Sequence, residues 1–171
     1  KDLKDLSITY NNLGKTYYNK GQYDLAIEQF ISALNLMEKS GNKMGRAFYL
    51  SNIASTYDVQ RNYVKAMDYY QRSLELKKQL GDSAALASIY HNLGILSFNL
   101  NDLELSNSYF HQSLKINQSL GKSDKIVKTL SCMGRNYIEG SEYDQAKQTL
   151  LEAHAICYKD KSAIEVNDRA G

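Results

Sequence analysis

The chain has 171 residues, enough for one domain with a substantial core, and carries a net charge of +2 with 23% charged residues. So even a balance argues against nucleic acid or an anionic membrane surface as the direct partner, and no apolar run approaches the roughly 18 residues that cross a bilayer. Proline is absent, which favours long unbroken helices, and Cys132 and Cys157 fit neither a zinc knuckle nor a disulfide framework, so they read as ordinary thiols, a reading that allows the cytoplasmic setting expected here and leaves an extracytoplasmic sensor region as the alternative.

Tyr10, Leu13, Gly14 and Tyr17 fall at helical spacing and predict a first amphipathic helix. Lys20-Gly21-Gln22 then turns the chain. Tyr23, Ala26, Phe30, Ala33 and Leu34 predict a second, antiparallel helix that closes at Gly41, a place where positive φ suits glycine. The pattern returns from Asn52-Ile53-Ala54, through the joint Gln60-Arg61-Asn62 to Gly81, after which Asp82 is placed to cap the next helix. It returns again from Asn92-Leu93-Gly94 to Gly121, and from Cys132-Met133-Gly134 to Lys161. Leu13, Ile53, Leu93 and Met133 each stand 40 positions apart, and no insertion interrupts the period. The expected units are about 1–41, 42–81, 82–121 and 122–161. Ser162-Ala163-Ile164-Glu165-Val166 overlays the start of a further unit, so residues 162–171 are expected to begin a truncated fifth helix, and the whole to be a piece of a longer protein.

Gly14, Ala54, Gly94 and Gly134 are expected to face Ala26, Ala66, Ser106 and Ala146, small against small, so that paired helices approach closely. The fold class expected is all-α: a right-handed α-solenoid of four helical hairpins with a concave face.

Tyr10-x-x-Leu13-Gly14-x-x-Tyr17 followed by Ala26-x-x-x-Phe30-x-x-Ala33 resembles the tetratricopeptide repeat (TPR), and the resemblance covers nearly the whole chain. The usual unit of that family has about 34 residues and ends its second helix with proline. Neither holds here. Without proline the second helix is expected to run on through Asn35-Leu36-Met37-Glu38 and Glu75-Leu76-Lys77-Lys78, taking up the added length. Long units of this kind resemble those of kinesin light chains, spindle-orientation adaptors and peptide-sensing bacterial signalling regulators.

The resemblance implies that the first helix of each hairpin lines the groove and that the chain binds a protein or peptide, as the sensory or scaffolding part of a larger bacterial signalling protein. The residues it places there are Asn11, Asn12, Lys15 and Tyr18 in the first unit, and Phe48 and Asn52 in the second. The third offers His91, Asn92 and Phe98, and the fourth Lys128 and Arg135. Asn12, Asn52 and Asn92 recur where a helix interior favours Ala, Glu or Lys, and a side-chain amide can pair with both N–H and C=O of an extended peptide. The competing reading has each Asn bonding a neighbouring helix or water. Relatives that clamp acidic chaperone tails carry a basic pair in the third unit, where this chain has Ser88 and Asn92, so that ligand is not expected.

No phosphate loop, metal helix or nucleophile elbow occurs, so no enzymatic activity, cofactor or metal is expected of His91, His111 and His154. The competing function is self-association. The outer face of the last hairpin, with Leu151 and Ile156, would then stack on a second copy as a homodimer.

Overall fold

Helices begin at every twentieth residue. The computed structural model describes the backbone of residues 2–170 and the side chains of residues 2–159. Among these lie α1 (Leu3–Asn19), α2 (Tyr23–Lys39), α3 (Lys43–Val59), α4 (Tyr63–Leu80), α5 (Ser83–Asn99), α6 (Leu103–Ser119), α7 (Ser123–Glu139) and α8 (Tyr143–Ala170). They form four hairpins of an α-solenoid, the expected all-α class. The second helices do run past Glu38 and Lys78, but α1 and α2 both have 17 residues, so the added length is not confined to the second helix. At 162–170, where a fifth unit is expected to begin, the backbone continues α8, and the side chains there lie outside the described residues.

Five of the starts have a common cause, which Gln22 before α2 and Lys122 before α7 do not share. Asp2, Asn42, Asn62, Asp82 and Asp102 each accept a hydrogen bond from a backbone N–H in the first turn that has no intrahelical partner. The ends are equally regular. Gly41, Gly81 and Gly121 take φ of 68°, 67° and 63°, the left-handed conformation predicted for them. Within the hairpins the same turn recurs, but there Arg61, Asn101 and Ser141 adopt φ of 59°, 61° and 61°. Asn tolerates this region, whereas Arg and Ser pay roughly 1–2 kcal/mol for it, against a glycine entropy cost of about 0.5–1 kcal/mol. Ser141→Gly and Arg61→Gly are therefore each expected to stabilise by about 0.5–1 kcal/mol, with Asn101→Gly close to neutral. Thermal melts check this, and a uniform gain at all three sites would remove the strain argument.

Two compact units divide the chain, Lys1–Ile89 and Tyr90–Gly171. In the first, Ile27, Phe30, Ala33, Leu34 and Met37 of α2 pack against Tyr49, Leu50 and Ile53 of α3, flanked by half-buried Tyr10, Tyr17 and Tyr57. The Ser73 hydroxyl donates to the Ala47 carbonyl at 2.6 Å and ties α4 to α3. In the second, Phe110 of α6 packs with Ile126, Leu130 and Met133 of α7 and Ala153 of α8.

The small residues do not simply face one another. A Cβ placed on Gly14 would stand 2.6 Å from the Phe30 ring, one on Gly94 2.6 Å from Phe110, and one on Gly134 2.5 Å from Leu150. The bare backbone is a seat for the large residue one helical turn beyond the small one, and Ser106 contributes a 2.8 Å hydrogen bond to the Gly94 carbonyl. Helix periodicity places Ala26 and Phe30 on the same stripe and does not say which of them meets glycine.

Candidate functional site: the first-helix faces

Within the first unit, α1 and α3 lie side by side. Asn52 Nδ2–H donates to Asn11 Oδ1 at 3.0 Å, joining the two helices. Asn11 is only 7% exposed, so it belongs to the seam between hairpins and not to an open face. Asn52 is half-buried, with its carbonyl oxygen and second N–H left over from that bond, and Asn12 is exposed on α1. Lys15, Tyr18 and Asn52, all on expected groove positions, converge with Ser55 on a pocket of about 200 Å³ whose remaining walls are Phe30 and Thr56. Tyr18 is braced edge-on by Tyr23, with ring centroids 5.6 Å apart. Phe48, also an expected groove residue, is 43% exposed and lines a second pocket of about 330 Å³.

The second unit carries its own set. The Arg135 guanidinium lies over the Phe98 ring, 4.5 Å from the centroid, which fixes both side chains while leaving Arg135 exposed. Lys128 is exposed and Asn92 half-buried. His91 departs from expectation: it is 6% exposed, with Nδ1 sharing a 3.2 Å hydrogen bond with Thr129 Oγ1 and its ring 5.7 Å from that of Phe110. Burial, reinforced by the cations of Lys128 and Lys125, pushes its pKa down to about 4, so the ring is neutral near pH 7. His111, by contrast, is exposed on α6. Burial likewise raises the Cys132 thiol against the pull of Arg135 and Lys128, which leaves it a poor nucleophile.

Asn11 and its equivalent two periods on, His91, thus both lie in a seam, each held by the next first helix. Counting positions identifies the side of a helix but not how closely the neighbouring hairpin covers it. The walls Phe30 and Thr56 were missed for a related reason, since Phe30 sits on a second helix and reads only as core. On α8, Leu151 is 59% exposed and Ile156 half-buried. Exposed Lys147 and His154 stand there at the places where α2 has buried Ile27 and Leu34, beside the exposed apolar Leu150 and Tyr158. Among the described residues, no group of three or more His, Cys, Asp or Glu could hold a metal ion, and no helix is long and apolar enough to cross a membrane.

Paired helices that start every twenty residues, with first helices side by side, define a helical-repeat scaffold. The chain belongs to the tetratricopeptide repeat family, whose signatures match residues 5–79 and 86–123. Among solved structures it is similar to BtubC (BKLC) from P. vanneervenii, at 24% identity over 94% of this chain and 66% of that one, with a TM-score of 0.86. It is also similar to a Rap protein complexed with competence and sporulation factor, at 19% identity over 94% of this chain and 45% of that one, TM-score 0.80. A putative kinesin light chain with nearly identical TPR-like repeats from Podosopora anserina gives 15% identity, 90% and 76% coverage, and a TM-score of 0.74. The chain therefore spans 66% of the first of these proteins and 45% of the second. No curated protein sequence matches it.

Proposed function

We propose that this chain is a polypeptide-binding module that holds an extended segment of its ligand against the first-helix faces, as the sensory or scaffolding part of a larger bacterial signalling protein. The observation that carries this reading is the pocket in the first unit where Lys15, Tyr18, Asn52 and Ser55 meet. It offers an apolar wall, an amide with free donor and acceptor capacity, and one cation, the mixture that orients a peptide. The Rap protein complexed with competence and sporulation factor supports the same reading through its shared fold.

The test is selection of a random peptide display library on the wild type, on Asn52→Ala and on Ser55→Arg, the last of which blocks the pocket from its wall. Recovered peptides should bind both variants at least tenfold more weakly, about 1.4 kcal/mol or more. Asn52→Ala also leaves Asn11 Oδ1 without its partner, so helicity and melting temperature are measured alongside. Equal binding by all three proteins would remove the pocket from the ligand's path.

A further inference from the structure

The larger pocket of the first unit breaks the repeat. Met44 is 65% exposed, Ile8 44% and Phe48 43%, and all three line it together with Met37. One period later, the places of Met44 and Phe48 hold Ala84 and Ser88; two periods later they hold Asp124 and Lys128. Large apolar groups therefore stand in water where the two later units have small or charged ones, and one period earlier the same places hold Lys4 and the exposed Ile8, which line the same pocket. The core does not account for them, and clustered exposed apolar surface marks a binding site.

The polar atoms around this pocket are already engaged. Tyr49 Oη–H donates to Ser7 Oγ at 3.0 Å, Ser7 Oγ–H to the Lys4 carbonyl at 2.7 Å, and Asn42 Oδ1 accepts from the Gly45 amide at 2.9 Å. What remains is an apolar cup of about 330 Å³ with the Lys4 side chain on its lining. Lys4 and Lys15 are the charged residues lining the two pockets, and no acid lines either. Along both walls the pockets keep one register, from Ile8 to Lys15 on α1 and from Phe48 to Ser55 on α3. Seven helical residues rise about 10 Å, the span of roughly three residues of extended peptide.

We infer that this cup is the anchor site of the same ligand: it takes one large apolar side chain, while a carboxylate three residues away meets Lys15. The inference rests on the peptide-binding reading above and specifies the ligand's chemistry. The apolar contact supplies affinity, and the lysines select acidic over basic sequences through charge complementarity. Met44 and Phe48 are exposed, so replacing them leaves the fold intact.

The experiment extends the same display selection to Met44→Ser/Phe48→Ser and to Lys15→Glu. Wild-type binders should be enriched in Leu, Met or Phe with Asp or Glu three positions away. Their dissociation constants should rise at least tenfold on the double variant, and Lys15→Glu should select Lys or Arg in place of the acid. Peptides that bind the double variant as well as the wild type, yet lose binding on Asn52→Ala and Ser55→Arg, overturn the anchor and leave the peptide-binding reading standing. No recovery on the wild type, or equal binding by every variant, overturns both.

Discussion

Replacing Phe110 by Ala is expected to destabilise the protein by about 3–5 kcal/mol, the range for emptying a well-packed aromatic site. Phe110 is 0% exposed and shares its cluster with Ile126, Leu130, Met133 and Ala153, so the loss cannot be made good by water. Its seat at Gly94 gives the experiment a sharper form. In the wild type, Gly94→Ala puts a Cβ 2.6 Å from the ring, and overpacking of that kind costs about 1–3 kcal/mol, more than the ~1 kcal/mol that alanine gains as a helix former. In the Phe110→Ala background the ring is gone and the same methyl enters free space, so Gly94→Ala should become stabilising. A double-mutant cycle by urea denaturation measures this change of sign. Additive effects would mean that the ring does not rest on the glycine.

The second large effect is acid sensitivity centred on His91. Its pKa is pushed down to about 4 in the folded protein, against 6.5 for an unperturbed ring, so between these values the unfolded chain binds the extra proton. Stability is fully present above pH 6.5 and is lost progressively as pH falls toward 4, by about 2–3 kcal/mol from this group. The physical causes are the 6% exposure of the ring and the nearby Lys125 and Lys128, which oppose a second positive charge. His91→Gln does not titrate, so its unfolding free energy should fall less between pH 7 and pH 4.5. Urea titrations at a series of pH values compare the two, and parallel losses would exclude His91 as the source. The two predictions also meet: the Phe110 ring lies against His91, and its removal should let water reach the imidazole and raise the pKa toward 6.5.

Much of this architecture was legible because the chain says the same thing four times. Gly41, Gly81 and Gly121 announce their joints, since positive φ is cheap for glycine, and Asp82 announces a cap that the structure contains. The groove positions Lys15, Tyr18 and Asn52 were legible for the same reason, because periodicity fixes the face of a helix. Distances between helices were not legible. The bond between Asn52 and Asn11 depends on how closely two first helices approach, and so does the burial of His91 against Thr129. Phe48 was legible in the same way as Lys15, whereas Met44 was not: a repeat is found by what agrees between units, and the places equivalent to Met44 hold Lys4, Ala84 and Asp124.

The twenty-residue cadence of helix starts bears on how such a chain can change over time. Gly41-Asn42 and Gly81-Asp82 are interchangeable joints, each with a left-handed glycine followed by a side chain that caps the next helix. Excising residues 43–82 would join Asn42 directly to Ser83 and recreate the same joint. Unequal recombination at these points would add or delete whole hairpins without disturbing a single turn, so the array would grow or shrink in steps of one unit, with the apolar pair Met44 and Phe48 gained or lost as a cassette.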